Sequence, residues 1–414
     1  MRVLILVDCY LPSPKSGAKL IHDLAEEFVR QGHETIVVTP DESFRARRRT
    51  TSEDGITVVR VGSGRIKGAG KVIRAINEIR LSSIVWRACR DFFRETPCDL
   101  VVYYSPTIFF GALVRKLKQL WRCRTYLILM DIFPQWAVEA GVLREGSLPH
   151  RYFRRKEIQQ YTVADAIGVQ TPGNLEYFRR MGLSGRLHLE VLWPWSALHE
   201  GIIPRTDHRR RLGLEGKVVF FYGGNLGVAQ DMDNLVRLAE SLRTESDIHF
   251  VLMGSGSEVP RLNRVVRERG LGNISVLPPV GQGEYLGVLS EFDVGMVSLG
   301  RGLKTQNVPG KMLGYLEGAM PVLASINPGN DLKTLIEEND IGFVSINGES
   351  ELFREHALSL ARDPELRRRL GRNGRQLLEE SFSTRRAALQ ILGHLSVARD
   401  SRSIRDQHPS DGTC

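Results

Sequence analysis

Residues 218–242 read VVFFYGGNLGVAQDMDNLVRLAESL, and this stretch decides the fold. Val218–Tyr222 is an unbroken apolar run of strand length. Gly223, Gly224 and Gly227 interrupt it. From about Asp231 the apolar residues Leu235, Val236, Leu238, Ala239 and Leu242 recur at helical spacing. A wholly apolar strand that turns through glycines into an amphipathic helix is half of a β-α-β unit, and such strands are covered on both faces.

The alternation continues downstream, with strand-like runs at His249–Met253, Ile274–Leu277, Val294–Val297, Val322–Ala324 and Phe343–Val344. An equivalent series precedes it: Val3–Val7, Thr35–Thr39, Leu100–Tyr104, Tyr126–Met130, Ala166–Val169 and Leu189–Leu192, with helical patterns between. Trp193-Pro194-Trp195 closes the first series, because proline stops a central strand. The expectation is α/β, with two doubly wound parallel-sheet (Rossmann-like) domains facing across a cleft. The expected boundaries are a first domain over 1–195, a linker over 196–212, a second domain over 213–384, a helix over 385–398 and a polar tail without fixed structure over 399–414. Ligands of such sheets bind beyond the carboxyl ends of the strands, which directs attention to the strand-to-helix loops.

Composition agrees. The chain has 414 residues, enough for two to three domains at roughly 150 each. It is 42% hydrophobic and 25% charged, which excludes a disordered chain. No apolar run approaches the length of a transmembrane helix. Met1 leads straight into a strand, without the cleavage site of a signal peptide. The five cysteines, Cys9, Cys89, Cys98, Cys123 and Cys414, form no C-x-x-C pair, so a reduced, cytoplasmic setting without structural zinc is expected.

The charge is local. Of the net +9, an excess of +8 lies between Phe44 and Glu95, where thirteen Lys/Arg face five acids. They begin with Arg45, Arg47, Arg48 and Arg49 and run through Arg65, Lys67, Arg74, Arg80 and Arg87. Apolar residues such as Ile76, Ile84 and Trp86 lie among them at helical spacing. A core-packed helix pair with a solvated basic face explains this best; binding to an anionic membrane surface is the functional reading. Nucleic acid ranks last, because no recognition module is present.

Five loops carry candidate chemistry. In Asp8–Ala18, Gly17 lets a ligand approach a helix N-terminus. In Tyr222–Gly227, the amides around Gly224 and Asn225 suit a diphosphate. Asp231-Met232-Asp233 matches a D-x-D metal motif, but the first turn of a helix makes capping the better reading. Gly254, Ser255 and Gly256 form a third strand-end turn. Arg301, Lys304, Pro309, Gly310 and Lys311 place three cations and a helix start at one sheet edge. Lastly, Asp131-Ile132-Phe133-Pro134-Gln135-Trp136 offers an acid with two aromatic side chains. The lack of G-x-G-x-x-G disfavours an NAD-dependent oxidoreductase.

Taken in order, these segments resemble the retaining glycosyltransferases of the GT-B fold, family 4. Among them they are most similar to bacterial enzymes that build O-antigen, capsule or exopolysaccharide, including the fucosamine-transferase-like group. The motifs are LVDCYLPSPKSGAKLIHDLAEEFVRQGHETIVVT, DIFPQWAVEAG, the turn Thr171–Asn174, VLWPW, FYGGNLGVAQDMDNL, LMGSGSE and VPGKMLGYLEGAMPVLA. The resemblance covers roughly residues 1–395. It implies a nucleotide-sugar donor held mainly by the second domain and an acceptor held mainly by the first. It implies no cofactor and no metal.

Two departures stand out. Members of the family commonly carry cations in the loop that here runs from Asn225 to Gln230 without one. The family's E-x7-E motif, counted back from Pro321, falls on Gln306 and Gly314, and Glu317 is out of register by three. The expected mechanism therefore assigns the departing diphosphate to Lys311, helped by Arg301 or Lys304 and the Gly224–Asn225 amides. Gly17, Gly254, Ser255, Gly256, Pro309 and Gly310 complete the expected donor site. Asp131 is the residue expected to orient or deprotonate the acceptor hydroxyl. Arg74, Arg80, Trp86, Arg87, Phe133 and Trp136 are expected to meet an acceptor, a polyprenyl-diphosphate-linked saccharide, at the inner face of the membrane. Two other functions stay open. One is a non-catalytic nucleotide-sugar-binding partner of another transferase. The other, ranked lower, is a nucleotide-sugar 2-epimerase. Lys311, Arg301 and Lys304 all turned outward would undo the enzymatic reading.

Overall fold

The computed structural model describes residues 1–13, 15–42, 46–63, 71–139, 141–198, 201, 203–304 and 306–403. The chain forms two compact units. One comprises Met1–Pro194 with Thr384–Cys414, the other Trp195–Ser383.

The strands of the first unit are β1 (Arg2–Leu6), β2 (Glu34–Asp41), β3 (Arg48–Glu53), β4 (Ile56–Gly62), β5 (Leu100–Ser105), β6 (Arg124–Leu129), β7 (Ala166–Val169) and β8 (Leu189–Val191). They lie in the order β3-β4-β2-β1-β5-β6-β7-β8. Their pairings are parallel except that of β3 with β4. The second unit has β9 (Val218–Asn225), β10 (Ile248–Ser255), β11 (Ile274–Leu277), β12 (Val294–Ser298), β13 (Val322–Ile326) and β14 (Gly342–Ile346), in the order β11-β10-β9-β12-β13-β14. Every pairing there is parallel. Both sheets are doubly wound, as the apolar strands require. Strand order reverses between β1 and β5 in one unit and between β9 and β12 in the other, and these switch points are where such sheets take ligands.

Burial follows the sequence pattern. Val3–Leu6 of β1 are wholly buried, and the helix Ser16–Arg30 sets Ala18, Ile21, Leu24, Ala25 and Phe28 into the first core. The helix Met232–Ser241 buries Leu235, Val236, Leu238 and Ala239, the stripe read from the opening stretch. Each buried Leu, Ile or Phe contributes about 1.5–3 kcal/mol through removal of apolar surface from water.

The structure differs from expectation in the basic region. Residues Arg48–Gly62 form the hairpin β3–β4, turning at Asp54 and Gly55, both with positive φ (53° and 77°). A two-residue turn of this kind matches the right-handed twist of its strands. Arg60 is not a free surface cation. Its guanidinium donates to Glu53 Oε1 at 2.5 Å and to the Leu11 carbonyl at 2.8 Å. The helix Lys71–Glu95 buries Leu81, Val85, Cys89 and Phe93, one residue per turn, and exposes Arg80, Arg87, Arg90 and Arg94. Trp86 is half-buried against the core. Its ring is 6.2 Å from that of Phe93, and the Lys116 ammonium lies 5.0 Å from its centre. Trp86 is thus a packing residue, not an outward anchor beside Arg80 and Arg87. Arg45, Arg65, Lys67 and the side chain of Arg74 lie outside the described residues.

The segment expected as a linker over 196–212 is fastened to the second unit. Arg209 reaches Asp293 Oδ2 at 2.7 Å and the carbonyls of Glu291 at 2.6 Å and Lys217 at 2.7 Å. The last helix, Thr384–Ser403, runs past residue 398 and belongs to the first unit, where Ala388 and Ile391 are buried. The rest of the expected tail, from residue 404, lies outside the described residues, Cys414 included. Cys9, Cys89, Cys98 and Cys123 are buried and form no disulfide among the described residues. Among the described residues, no helix is long and apolar enough to cross a membrane.

Candidate functional site

The carboxyl end of β9 is built from glycines for a physical reason. A Cβ on Gly223 would lie 2.4 Å from the Tyr285 hydroxyl, and the Gly223 amide donates to the Tyr315 hydroxyl at 3.1 Å. Gly224 adopts φ +117°, a conformation that glycine tolerates and other residues do not. Next to it, a Cβ on Gly254 would lie 1.7 Å from the Gly224 carbonyl oxygen, and one on Gly256 would lie 2.2 Å from the Leu226 carbonyl oxygen. Gly254 and Gly256 are therefore explained by close packing of the β9 and β10 turns on each other. Ser255 and Asn225 are exposed at the tip, register partners at the ends of β10 and β9.

Lys311 enters this turn from the helix Gly310–Glu317, whose N-cap is Pro309. Its Cε lies 3.7 Å from where a Gly224 Cβ would stand. Its ammonium sits 3.5 Å from the centre of the Tyr222 ring. Burial pushes its pKa down to about 7. Among the described residues, no carboxylate lies within ion-pair distance of it. The quadrupole of Tyr222 attracts a cation but does not neutralise it. A desolvated lysine without a counter-charge, beside the exposed Gly224 and Asn225 and at a helix start, is a place for an anion.

The neighbouring cations do not join it. Arg301 is exposed and donates to the Asn347 carbonyl at 2.9 Å, beyond the end of β14; Lys304 is exposed. Of the three cations expected to act together, only Lys311 turns in to the glycine turn. Asp231 occupies an N-cap position, yet its side chain makes no cap hydrogen bond. It accepts instead from Asn347 Nδ2 at 2.9 Å, while Asp233 pairs with Arg261 at 2.6 Å. The capping role expected for Asp231 is absent, and the D-x-D carboxylates are held by partners of their own. Asn347, which also donates to the Leu299 carbonyl at 2.9 Å, ties the β9, β12 and β14 loops together. No sequence motif pointed to it.

The first unit presents a second group at its own switch point. Asp8 follows β1, Tyr104 and Ser105 end β5, and Asp131 follows β6. Asp8 Oδ1 and Ser13 Oγ are buried without hydrogen-bond partners among the described residues, and Asp8 Oδ2 is 3.8 Å from the Lys15 ammonium. Asp131 is open to solvent on one side, and its carboxylate accepts no hydrogen bond among the described residues. Crowding by protein atoms, then the charge of Asp8, raises its pKa above the ordinary carboxylate value. Tyr104 is buried, and burial, then the charges of Asp131 and Asp8, raises its pKa. Gly17 is buried under Tyr104: a Cβ there would stand 3.1 Å from the hydroxyl. Its role is to admit that ring. Phe133 packs on Phe153, with ring centres 5.1 Å apart, and leaves Trp136 41% exposed. Asp8 and Tyr104 were not singled out in the sequence; their positions at strand ends were the available signal.

Two family profiles cover this chain. The Glycosyl transferase 4-like domain matches residues 17–192, and Glycosyl transferases group 1 matches residues 204–377. Among curated relatives, WbjE of Pseudomonas aeruginosa, named as a glycosyltransferase, is 26% identical over 52% of this chain and 54% of its own length. The match thus spans about half of that protein. WcaI of Escherichia coli K12, named for glycosyl transfer in colanic acid biosynthesis, is 25% identical over 76% of this chain and 81% of its own. Among solved structures, Anabaena HepE in complex with UDP and glucose superposes with a TM-score of 0.67 at 15% identity, covering 96% of this chain and 100% of that one. With both parallel-sheet units in place and each half matched by its own profile, the chain belongs to the glycosyltransferases of the GT-B fold, family 4.

Proposed function

We propose that this protein transfers a sugar, with retention of anomeric configuration, from a nucleoside-diphosphate donor to a lipid-linked saccharide during surface polysaccharide biosynthesis. The observation that carries the reading is Lys311: a half-buried cation with no carboxylate partner among the described residues, over Tyr222 and beside the Gly223–Gly224 turn. Breaking a glycosyl–phosphate bond leaves negative charge on the diphosphate, and a preorganised cation in a site of low dielectric stabilises that charge most. The colanic acid relative supports the pathway class, and the UDP-bound neighbour supports the donor class.

In this mechanism the second unit holds the donor. The diphosphate lies against the Gly224–Asn225 amides and Lys311, and the N-terminus of the helix Gly310–Glu317 adds partial positive charge. As the bond to the anomeric carbon lengthens, Lys311 takes up the charge of the leaving group. The acceptor hydroxyl attacks from the same face and a donor phosphate oxygen takes its proton. Asp131, on the first unit, orients that hydroxyl. No resident metal has a step in this scheme. The exposed Arg80 and Arg87 give the first unit a basic face suited to an anionic membrane surface, where a polyprenyl-linked acceptor is found.

The deciding experiment incubates the protein with UDP- and GDP-sugars in turn and follows release of the nucleoside diphosphate, with and without lipid-linked acceptor. Slow release alone, accelerated by acceptor, is expected. Tight donor binding with no release under any condition favours the non-catalytic partner instead.

A further inference from the structure

A group of side chains in the first unit, apart from the residues assigned above, has the composition of a cation site. His188 and Glu190 lie just before and on β8, the edge strand, and His394 lies on the C-terminal helix. Their ligand atoms all fall within 4.8 Å of one another. We propose that His188, Glu190 and His394 bind one divalent transition-metal ion, with Zn²⁺ as the natural occupant, and that the ion staples the C-terminal helix to β8.

Two imidazoles and a carboxylate are the donor set that suits zinc, with a water in the fourth place. Tetrahedral bonds of about 2.0–2.2 Å set ligand atoms about 3.3–3.6 Å apart. Glu190 Oε2 and His394 Nε2 now stand 2.9 Å apart as a hydrogen-bonded pair, so they must open slightly. The exposed His188 ring, centred 5.0 Å from that of His394, must close. Side-chain rotation at a partly open site supplies both movements.

The carboxylate is already oriented as a ligand would be. The Tyr126 hydroxyl donates to Glu190 Oε1 at 2.5 Å, leaving Oε2 for the ion. Such outer partners fix ligating groups in known metal sites.

The staple has a structural use. Glu190 and His394 are 204 residues apart, so joining them closes a long loop, the case in which a cross-link removes most entropy from the unfolded chain. At present the helix is held to β8 by Gln390 Nε2 on the Val191 carbonyl at 2.8 Å and by the His394–Glu190 pair. Cysteine spacing gave no sign of this site, because its ligands are histidines and an acid distant in sequence.

The test uses the full chain without an affinity tag. Co²⁺, then Zn²⁺, is titrated against metal-free protein, followed by the cobalt absorption band and by calorimetry. One ion per chain is expected, with an upward shift of the unfolding temperature that EDTA reverses. His188→Ala is the decisive variant, because the His188 side chain makes no hydrogen bond among the described residues and its one backbone bond, from the Ile167 amide, survives the substitution. It should leave the metal-free unfolding temperature unchanged and abolish both the band and the shift. A second group, His22, Glu26 and Asp54, also brings ligand atoms together. His22→Ala should retain binding. Absence of stoichiometric binding, binding undiminished by His188→Ala, or binding lost only in His22→Ala would each overturn the proposal.

Discussion

Replacing Lys311 by methionine should move stability and catalysis in opposite directions. The fall of its pKa from 10.5 to about 7 measures how much the fold disfavours the ammonium. Three and a half units would correspond to about 5 kcal/mol if the side chain were sealed off. It is only half-buried, so solvent screening reduces this to roughly 1–3 kcal/mol. Methionine keeps the length of the chain over the Tyr222 ring without the charge. Lys311→Met should therefore make the second unit more stable at pH 7 by about that amount, while its turnover falls roughly 10²–10³-fold through loss of a charged group at the leaving diphosphate.

The pH dependence fixes the cause. The unfolded chain holds the Lys311 proton up to pH 10.5 and the folded chain releases it near 7, so the unfolded state binds more protons across that window. Wild-type stability should thus gain an increment with rising pH between 7 and 10.5, at most about 1.4 kcal/mol per unit, which the variant lacks. Donor affinity of the wild type should weaken as pH rises through 7, because the free site loses the charge it offers. Urea unfolding of both proteins at several pH values, with donor binding and nucleoside diphosphate release measured on the same samples, tests all three. A variant less stable than wild type that still transfers at a near-normal rate removes Lys311 from the mechanism and leaves it as a packing residue.

Asp131→Asn should cut acceptor-dependent transfer by about 10²-fold while sparing donor binding, and wild-type transfer should decline on acidification through the raised Asp131 pKa; donor affinity that falls in step would place Asp131 in the donor site instead. The protein should sediment with anionic vesicles in a salt-sensitive way, and the combined neutralisation of Arg74, Arg80 and Arg87 should release it. Binding that ignores salt, or none at all, would refute peripheral attachment. Gly254→Ala should cost about 3 kcal/mol or more, because a Cβ 1.7 Å from the Gly224 oxygen must push two strand ends apart. A loss under about 1 kcal/mol would show that the turns are looser than their spacing indicates.

The sheets were legible because their strands are buried on both faces and so read as continuous apolar runs. The hairpin Arg48–Gly62 is hidden by its own charge: β3 carries exposed arginines, so the segment reads as a basic patch although the Asp54–Gly55 turn lies within it. That dipeptide was a usable signal. Lys311 was legible as a cation at a helix start, but its isolation from Arg301 was not. Arg301, ten residues before Lys311, turns instead to the Asn347 carbonyl beyond the end of β14. Asn347, Asp8 and Tyr104 act through contacts that only the folded sheet edges create.

The missing E-x7-E carboxylates acquire a physical meaning at the same site. Gln306 donates through Nε2 to the Gly329 carbonyl at 2.8 Å and accepts at Oε1 from the Asp331 amide at 2.9 Å. A glutamate could accept the second bond but not donate the first, so position 306 holds the loop before Lys311 to the helix Leu332–Glu338. At position 314 a Cβ would meet Leu289 and Tyr285 at 3.3 Å, so the bare glycine lets the Lys311 helix lie close to both side chains. Both positions therefore serve to place that helix, and with it the lysine at its start. Lys311 stands at the end of β9 as a desolvated cation without a counter-charge among the described residues, where it lowers stability. A bound diphosphate would supply the missing charge, and that is what the proposed donor site asks of this position.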